Sequence, residues 1–395
     1  MNKGDIIRVR KNVKLEFTES GVCLQQGEMK INKSAQILSV IEVFNKWISI
    51  ENGLKELTAK SQTKKNFFTL STDFYDLLKK DFFEFKNSDN TTFNFHNGKF
   101  DAFPVHIRML NDTARTLAFQ QAIRETVTPN DIVLDIGTGN GILAATAAIA
   151  GAKHVYAIER TEFIEVAGAV FKANGLENKI TLIKGDSTTI TLPEKATVLV
   201  SEIIGNDPFA EGIIRTFKDA KERLLTPDAK IIPKNITVFA MALEVDSKKH
   251  HQNQLTPQNI INWEKWYGID FSPFLQFNDS ENLPKIHINS RDLKNWKMLT
   301  APVELAHLDF TMSELKIEDC EKIFSLEKPG TFNGLLLFFE STLADNITLS
   351  LHPDKVDPSN HWSSQLYFIS SQKGENFKVE YSLKDLKSQV KITKC

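Results

Sequence analysis

The segment Val133-Leu-Asp135-Ile-Gly137-Thr-Gly139-Asn-Gly141 constrains the fold more than any other, because three glycines alternate directly after an apolar run. Glycine tolerates the positive φ that a tight turn needs and, lacking Cβ, lets a ligand approach the backbone. A strand that ends in such a loop and continues into a helix, here the alanine-rich 142–150 closed by Gly151, opens a nucleotide-binding α/β unit. The neighbouring pattern agrees. Strands at 132–136, 154–158, 180–183, 196–201 and 229–232 alternate with helical segments, which requires a parallel sheet covered on both faces. Glu159, at the end of the second of these strands, has the spacing of a ribose partner.

Two details bear on the ligand. The glycines follow G-x-G-x-G, since position 142 is Ile, and the carboxylate of Asp135 stands just before the loop, where it would repel a pyrophosphate. S-adenosyl-L-methionine carries an ammonium and a sulfonium, both of which an acid accepts. It is therefore the expected cofactor, with a dinucleotide and a ligand-free glycine turn as the alternatives. Lys184-Gly185-Asp186-Ser187-Thr188 closes a further strand where adenine commonly lies in such folds; Asp186 is a candidate for its amino group and also an ordinary turn residue. Upstream, His106-Ile-Arg-Met109-Leu110-Asn-Asp112-Thr-Ala-Arg115-Thr116 leads into a helix with an apolar stripe through Leu110, Ala114 and Leu117. There Arg115 reads as a clamp for the cofactor carboxylate or as a surface residue, and Met109 as a site residue or core.

After the run 196–200, Ser201-Glu202-Ile-Ile-Gly205-Asn-Asp-Pro-Phe-Ala-Glu211 hangs two carboxylates from one loop. Acids at a strand end are commonly a solvated surface. As a pair they also fit a guanidinium, which stays cationic at any physiological pH and is a poor nucleophile until carboxylates draw its charge toward the bonded nitrogens.

The whole chain bounds these readings. With 395 residues, 25% of them charged, and a formal net charge of −2, it suits two or three domains and argues against bulk nucleic-acid binding. Apolar runs such as 335–339 fall far short of the ~18 residues that span a membrane. No segment reads as a signal peptide. Cys23, Cys320 and Cys395 form no metal or disulfide pattern, so the expectation is a cytoplasmic, metal-free protein. We expect a small α+β unit at 1–90, with strands around 7–17 and 22–24, helices at 35–44, 54–59 and 70–78, and a polar linker near 87–92. An α/β domain at 96–233 and a β-rich domain at 234–395 follow, the latter built mostly of short strands at 236–243, 334–340 and 366–369.

In this order, residues 100–369 resemble the protein arginine methyltransferases: the His106 to Thr116 helix, the glycine loop, Glu159, the double-glutamate loop, and Leu225-Thr-Pro227-Asp-Ala-Lys-Ile-Ile-Pro233. Trp266-Tyr-Gly-Ile-Asp270 and Asn360-His361-Trp362 continue the match, the family having Thr-His-Trp at the latter. The resemblance implies a Rossmann-type S-adenosylmethionine-dependent methyltransferase domain followed by a β-barrel-like domain, and a homodimer made through an arm of the barrel. Carried over by position, Glu202 and Glu211 grip the substrate guanidinium and His361 lines the same site. It implies that His106 and Arg115 bind the amino-acid end of the cofactor, Gly137, Gly139 and Gly141 its loop side, and Glu159 the ribose, with Met109 beside the methyl group. The chain departs from the family at Phe100 (tyrosine), Ile203-Ile204 (Trp-Met), Asn360 (threonine) and Thr188, which replaces an adenine-binding glutamate and leaves that task to Asp186 or Ser187.

The amino-terminal pattern, from Lys14-Leu-Glu-Phe-Thr through Ile31-Asn32-Lys-Ser-Ala35-Gln-Ile37-Leu38 to Phe82-Phe83-Glu-Phe85, resembles the winged-helix-like, leader-peptide-binding domains of the PqqD type. That implies capture of an extended peptide by strand addition and an arginine-containing precursor peptide as substrate. The alternatives are an interaction domain without a peptide, a methyltransferase for a small guanidino compound, and a peptide-binding protein without turnover.

Overall fold

The computed structural model describes residues 6–19, 21–27, 29–61, 63–80, 82–86, 92–93, 102–277, 283–372 and 376–394. Phe100, Cys395 and most of the expected linker lie outside them. The chain forms two compact units, Met1–Val105 and His106–Cys395.

In the first unit, strand Ile6–Val9 runs between Ile48–Ser49 and Phe83–Lys86 in a four-stranded sheet, and Lys14–Thr18, Gly21–Gln26 and Met29–Lys33 form a separate antiparallel one. The expected strand region 7–17 is thus split between two sheets by a turn at Lys11-Asn12, where the Val13 N–H donates to Arg10 O at 3.2 Å. Helices Ile37–Val43, Ile50–Lys60 and Lys64–Lys79 complete the unit, the last two starting at side-chain caps from Ser49 and Thr63. Phe44 stacks on Phe74 at 4.7 Å and meets Phe83 edge-on at 5.4 Å. Every position of Lys14–Thr18 is exposed, Phe17 at 72%, and the strand pairs antiparallel with Gly21–Gln26.

The second unit holds the expected parallel sheet, ordered Ile180–Lys184, His154–Glu159, Ile132–Ile136, Ala196–Val200, Leu225–Ile232. All five residues of Ile132–Ile136 are buried, as a strand with both faces covered requires. Strand order reverses between Ile132–Ile136 and Ala196–Val200, and the crevice at such a reversal is where α/β sheets bind ligands. The remainder forms a seven-stranded and a three-stranded antiparallel sheet. Phe332 and Phe377 pack edge-to-face at 4.5 Å between them, and one apolar core runs from Leu134 and Phe217 through Phe339 to Tyr381.

Short strands were expected here, but the central one, Phe332–Ala344, is 13 residues long. The strand continues past its apolar run through Glu340, Ser341 and Thr342, which pair with Thr237, Ile236 and Asn235. Helices Ser247–Asn253 and Pro257–Tyr267 and the 3₁₀ turn Ser272–Phe277 present Ile261, Trp266, Tyr267 and Phe274 to solvent, Trp266 at 62%. Among the described residues no helix is long and apolar enough to cross a membrane.

Candidate active site

The glycine loop and the double-glutamate loop leave adjacent strands at the sheet reversal. Ser201 Oγ donates to Ile136 O at 2.7 Å, tying the two exits together. Gly137, Gly139 and Gly141 all have positive φ, at 76°, 53° and 86°. Each position is also crowded: a Cβ would stand 2.9 Å from Ile203 Cγ2 at Gly137, 3.0 Å from His106 Cε1 at Gly139 and 2.6 Å from Phe171 at Gly141. Glu159 accepts the N–H of Gly139 at 2.9 Å on one oxygen and that of Thr161 at 2.8 Å on the other, so its carboxylate fixes the loop.

Asp135 is 0% exposed and lies beneath the loop, where Oδ2 accepts from Thr138 Oγ1 at 2.7 Å and from the Ala144 N–H at 3.0 Å. Its other oxygen has no hydrogen-bond partner among the described residues. Burial pushes its carboxyl up to about 7, the two hydrogen bonds opposing and Glu159 and Glu202 adding to the rise. Asp135 therefore shapes the loop from below.

Helix Thr113–Thr126 begins at Asp112, which caps it by accepting the Arg115 N–H at 3.0 Å. The second oxygen of Asp112 accepts both the backbone N–H of His361 at 3.0 Å and its ring Nδ1 at 2.7 Å. Burial raises the Asp112 carboxyl, but the bonds from His361 and from the backbone outweigh it and hold the group below the usual carboxylate range. The Asp is thus ionised, and His361 Nδ1 is the donor. One buried carboxylate pins residues 249 positions apart in the chain.

Arg115, in the first turn of that helix, is buried and pairs through Nη1 with Glu202 Oε2. Nη2 donates to Met109 O at 2.7 Å, while Nε has no hydrogen-bond partner among the described residues. Glu202 Oε1 accepts the Ile204 N–H at 3.1 Å. Trp362 holds the same loop by donating Nε1–H to Ile204 O at 2.8 Å, and its ring lies 5.9 Å from the Arg115 guanidinium.

Glu211 differs. It is exposed and has no hydrogen bond or ion pair to any described residue. Gly205 lies beneath it, where a Cβ would be 3.2 Å from Glu211 Oε1 and 2.9 Å from Asp207 O. Desolvation by the surrounding walls, together with the charge of Glu202, pushes its carboxyl up to about 7, with Arg160 opposing.

Comparison with known proteins places this geometry. Residues 113–272 match the family described as ribosomal protein L11 methyltransferase, and residues 237–391 the arginine methyltransferase oligomerization subdomain. The chain is 33% identical over 289 residues to protein arginine N-methyltransferase 1 of Chlamydomonas reinhardtii, covering 71% of this chain and 79% of that one. The chain belongs to the protein arginine N-methyltransferases. Protein arginine N-methyltransferase 1 of Saccharomyces cerevisiae is 28% identical over 282 residues, 68% of this chain and 76% of that one. Among solved structures, protein arginine methyltransferase 10 of Arabidopsis thaliana superposes with a TM-score of 0.61 at 21% identity, covering 75% of this chain and 99% of that one. The Trypanosoma brucei PRMT1 enzyme-prozyme heterotetrameric complex with AdoHcy superposes at 0.60 and 21%, covering 75% and 100%. At such identity these two speak for the fold.

In this protein arginine N-methyltransferase the departures from the family pattern are accommodated locally. Asn360 donates Nδ2 to Trp362 O at 2.7 Å and accepts the Trp362 N–H at 3.3 Å, so it closes the turn that presents His361. Thr188 bonds Asp186 Oδ1 through N–H at 2.9 Å and Oγ1 at 2.7 Å; these bonds hold the Asp186 carboxyl low and leave its other oxygen outward. Ser187 is buried, with its carbonyl accepting from Arg223 at 2.8 Å. His106 is buried flat on Phe163, ring centroids 3.5 Å apart. Met109 is half-buried. Sequence reading gave no part to Asp112, Phe163 or Trp362; the N-cap position of Asp112 was the one visible signal.

Proposed function

We propose that this protein transfers the methyl group of S-adenosylmethionine to a guanidinium nitrogen of arginine in a polypeptide. The observation that carries the assignment is the double-glutamate loop standing beside a buried arginine and a glycine loop at the sheet reversal. The residues fit the cofactor: Arg115 keeps a buried Nε donor without a partner among the described residues, suited to an anionic carboxylate, and the three glycines at positive φ make the tight turn at the sheet reversal. Arg115 and His106 hold the amino-acid end, Gly137 and Gly139 line its side, Glu159 accepts from the ribose, and Asp186 to Thr188 border the adenine. Met109 stands beside the methyl group. When bound, the cofactor supplies an electrophilic methyl on a sulfonium sulfur.

Glu202 and Glu211 orient the substrate guanidinium and draw its charge toward the nitrogens they bond, leaving another nitrogen electron-rich. Transfer of that methyl would form the N–C bond with the C–S bonding pair left on the cofactor. The nitrogen that gains the methyl loses a proton, and the carboxylate of Glu211, with a pKa near 7, is an acceptor of matched strength. Labelled S-adenosylmethionine with arginine-containing peptides, read by mass spectrometry, tests the assignment. Methylated arginine is expected; a methylated small guanidino compound, or cofactor binding without product, overturns it.

The substrate we favour is a ribosomally made precursor peptide, supported by the exposed strand Lys14–Thr18, whose exposed Leu15 and Phe17 suit an added strand. Removing residues 1–90 is expected to weaken peptide binding at least about ten-fold, about 1.4 kcal/mol, with cofactor affinity kept. Unchanged peptide binding removes this reading of the unit. We also favour a homodimer, supported by the exposed aromatic arm at Trp266, Tyr267 and Phe274 and by the oligomerization subdomain match. A cytoplasmic location has the support of free Cys23 and Cys320.

A further inference from the structure

Glu211 owes its place to its backbone, since no hydrogen bond fixes its side chain among the described residues. The backbone beneath it, Gly205 to Asp207, is held in turn by a distant element, the hairpin of Asn376–Lys384 and Lys387–Lys394. Asp207 is buried at 9% exposure; its Oδ2 accepts the Ser388 N–H at 2.8 Å and its Oδ1 accepts Ser388 Oγ at 2.9 Å. Ser388 is 1% exposed, and its hydroxyl is also 2.9 Å from Tyr381 OH.

The hairpin turn, Asp385-Leu386, has positive φ at both residues and brings Leu386 to 4.0 Å from where a Cβ on Gly212 would stand, directly after Glu211. The hairpin is therefore bonded to the loop before the glutamate and comes near it directly after. Asn206 Oδ1 accepts the Ser363 N–H at 2.8 Å and adds a further restraint.

We propose that the carboxy-terminal hairpin is the positioning element of the double-glutamate loop, with Asp207 and Ser388 as the positioning pair that sets where the Glu211 carboxylate stands. The pair touches neither substrate nor cofactor. Its buried carboxylate receives two hydrogen bonds from one residue, a geometry that fixes both the height and the rotation of the Gly205–Asp207 backbone. Displacement of a reacting group by about 1 Å can cost on the order of 10²-fold in rate, so loosening this anchor acts on turnover without removing a catalytic group.

The proposal rests on Glu211 gripping the substrate, and the test separates the two. Ser388→Ala, Asp207→Asn and the double variant are made in the full-length chain and compared with wild type and Glu211→Gln. The expected result is a fall in kcat of about ten-fold in each single variant and no further fall in the double. The acidic limb of kcat/KM should also move, because the surroundings of Glu211 change, while S-adenosylmethionine affinity stays that of wild type. Loss of fold alone would not move that limb.

Should Ser388→Ala fail to fold, Asp207→Asn, which keeps the side-chain shape, carries the same criteria. Wild-type kcat with an unmoved limb in either variant overturns the positioning role, as does additivity in the double variant. An active Glu211→Gln protein would instead overturn the reading of the glutamate itself.

Discussion

The two ends of the double-glutamate loop are chemically alike and physically opposite. At one end Glu202 is buried, paired with Arg115 and bonded to the Ile204 N–H. At the other, Glu211 is open, has no partner among the described residues and holds its proton up to about pH 7. The difference divides the work. Glu202 already accepts a guanidinium, from Arg115, so its position and charge are set before substrate arrives. Glu211 feels the charge of Arg160 but forms no ion pair among the described residues, so its first direct pairing comes from an incoming cation and the favourable change on binding is concentrated there.

The largest expected effect breaks the pair. Glu211→Gln keeps the shape but removes the charge that an arriving guanidinium would meet, and Glu202→Gln also releases Arg115. Each should lower kcat by on the order of 10²–10³-fold, the range seen when one preorganised electrostatic group is lost. Cofactor affinity should persist in Glu211→Gln, measured by calorimetry. An active double Gln variant would remove both carboxylates from the mechanism.

The pH dependence sharpens the same contrast. Below about 7 the Glu211 carboxyl is neutral and cannot pair with a cation, so kcat/KM should climb as pH rises through that value. Bound guanidinium favours the ionised form, so the corresponding limb of kcat should lie at lower pH. Stability runs the other way. The folded carboxyl titrates near 7 against 4.5 for a free one, so the fold loses stability as pH rises across that window, and Glu211→Gln should raise Tm at pH 8 relative to wild type. A kcat/KM limb that survives unchanged in Glu211→Gln assigns it to another group.

How much of this was legible depended on whether the cause was local. Gly137, Gly139 and Gly141 announce their positive φ in the residue type, so the strand, loop and helix that they join could be read directly, whereas the Asp112 cap, one residue before its helix, was equally local and was given no part. Arg115 was legible as a clamp, but its pairing with Glu202 was not, because it joins elements 87 residues apart. The same holds for Trp362 on Ile204, 158 residues apart, and Ser388 on Asp207, 181 apart. These contacts follow from packing the antiparallel body against the parallel sheet, and no periodicity records them. The long strand Phe332–Ala344 was underestimated for a related reason, since its polar end is held by neighbouring strands rather than by its own apolar pattern.

The smallest expected effect lies at the Glu202 end. Trp362→Phe keeps an aromatic side chain but shrinks it and deletes the N–H that satisfies Ile204 O, leaving a carbonyl next to a buried side chain without its donor. The unmet group should cost about 1–3 kcal/mol of stability, read by denaturant unfolding. Catalysis should fall by only a few-fold, because Arg115 and the Ile204 N–H still hold the Glu202 carboxylate from either side. The acidic limb should stay in place, since Trp362 bonds the loop at Ile204 and Glu211 is carried from Gly205 onward. If Trp362→Phe moves that limb as far as Ser388→Ala does, the two ends of the loop are not held independently, and the division of work between the glutamates fails with it.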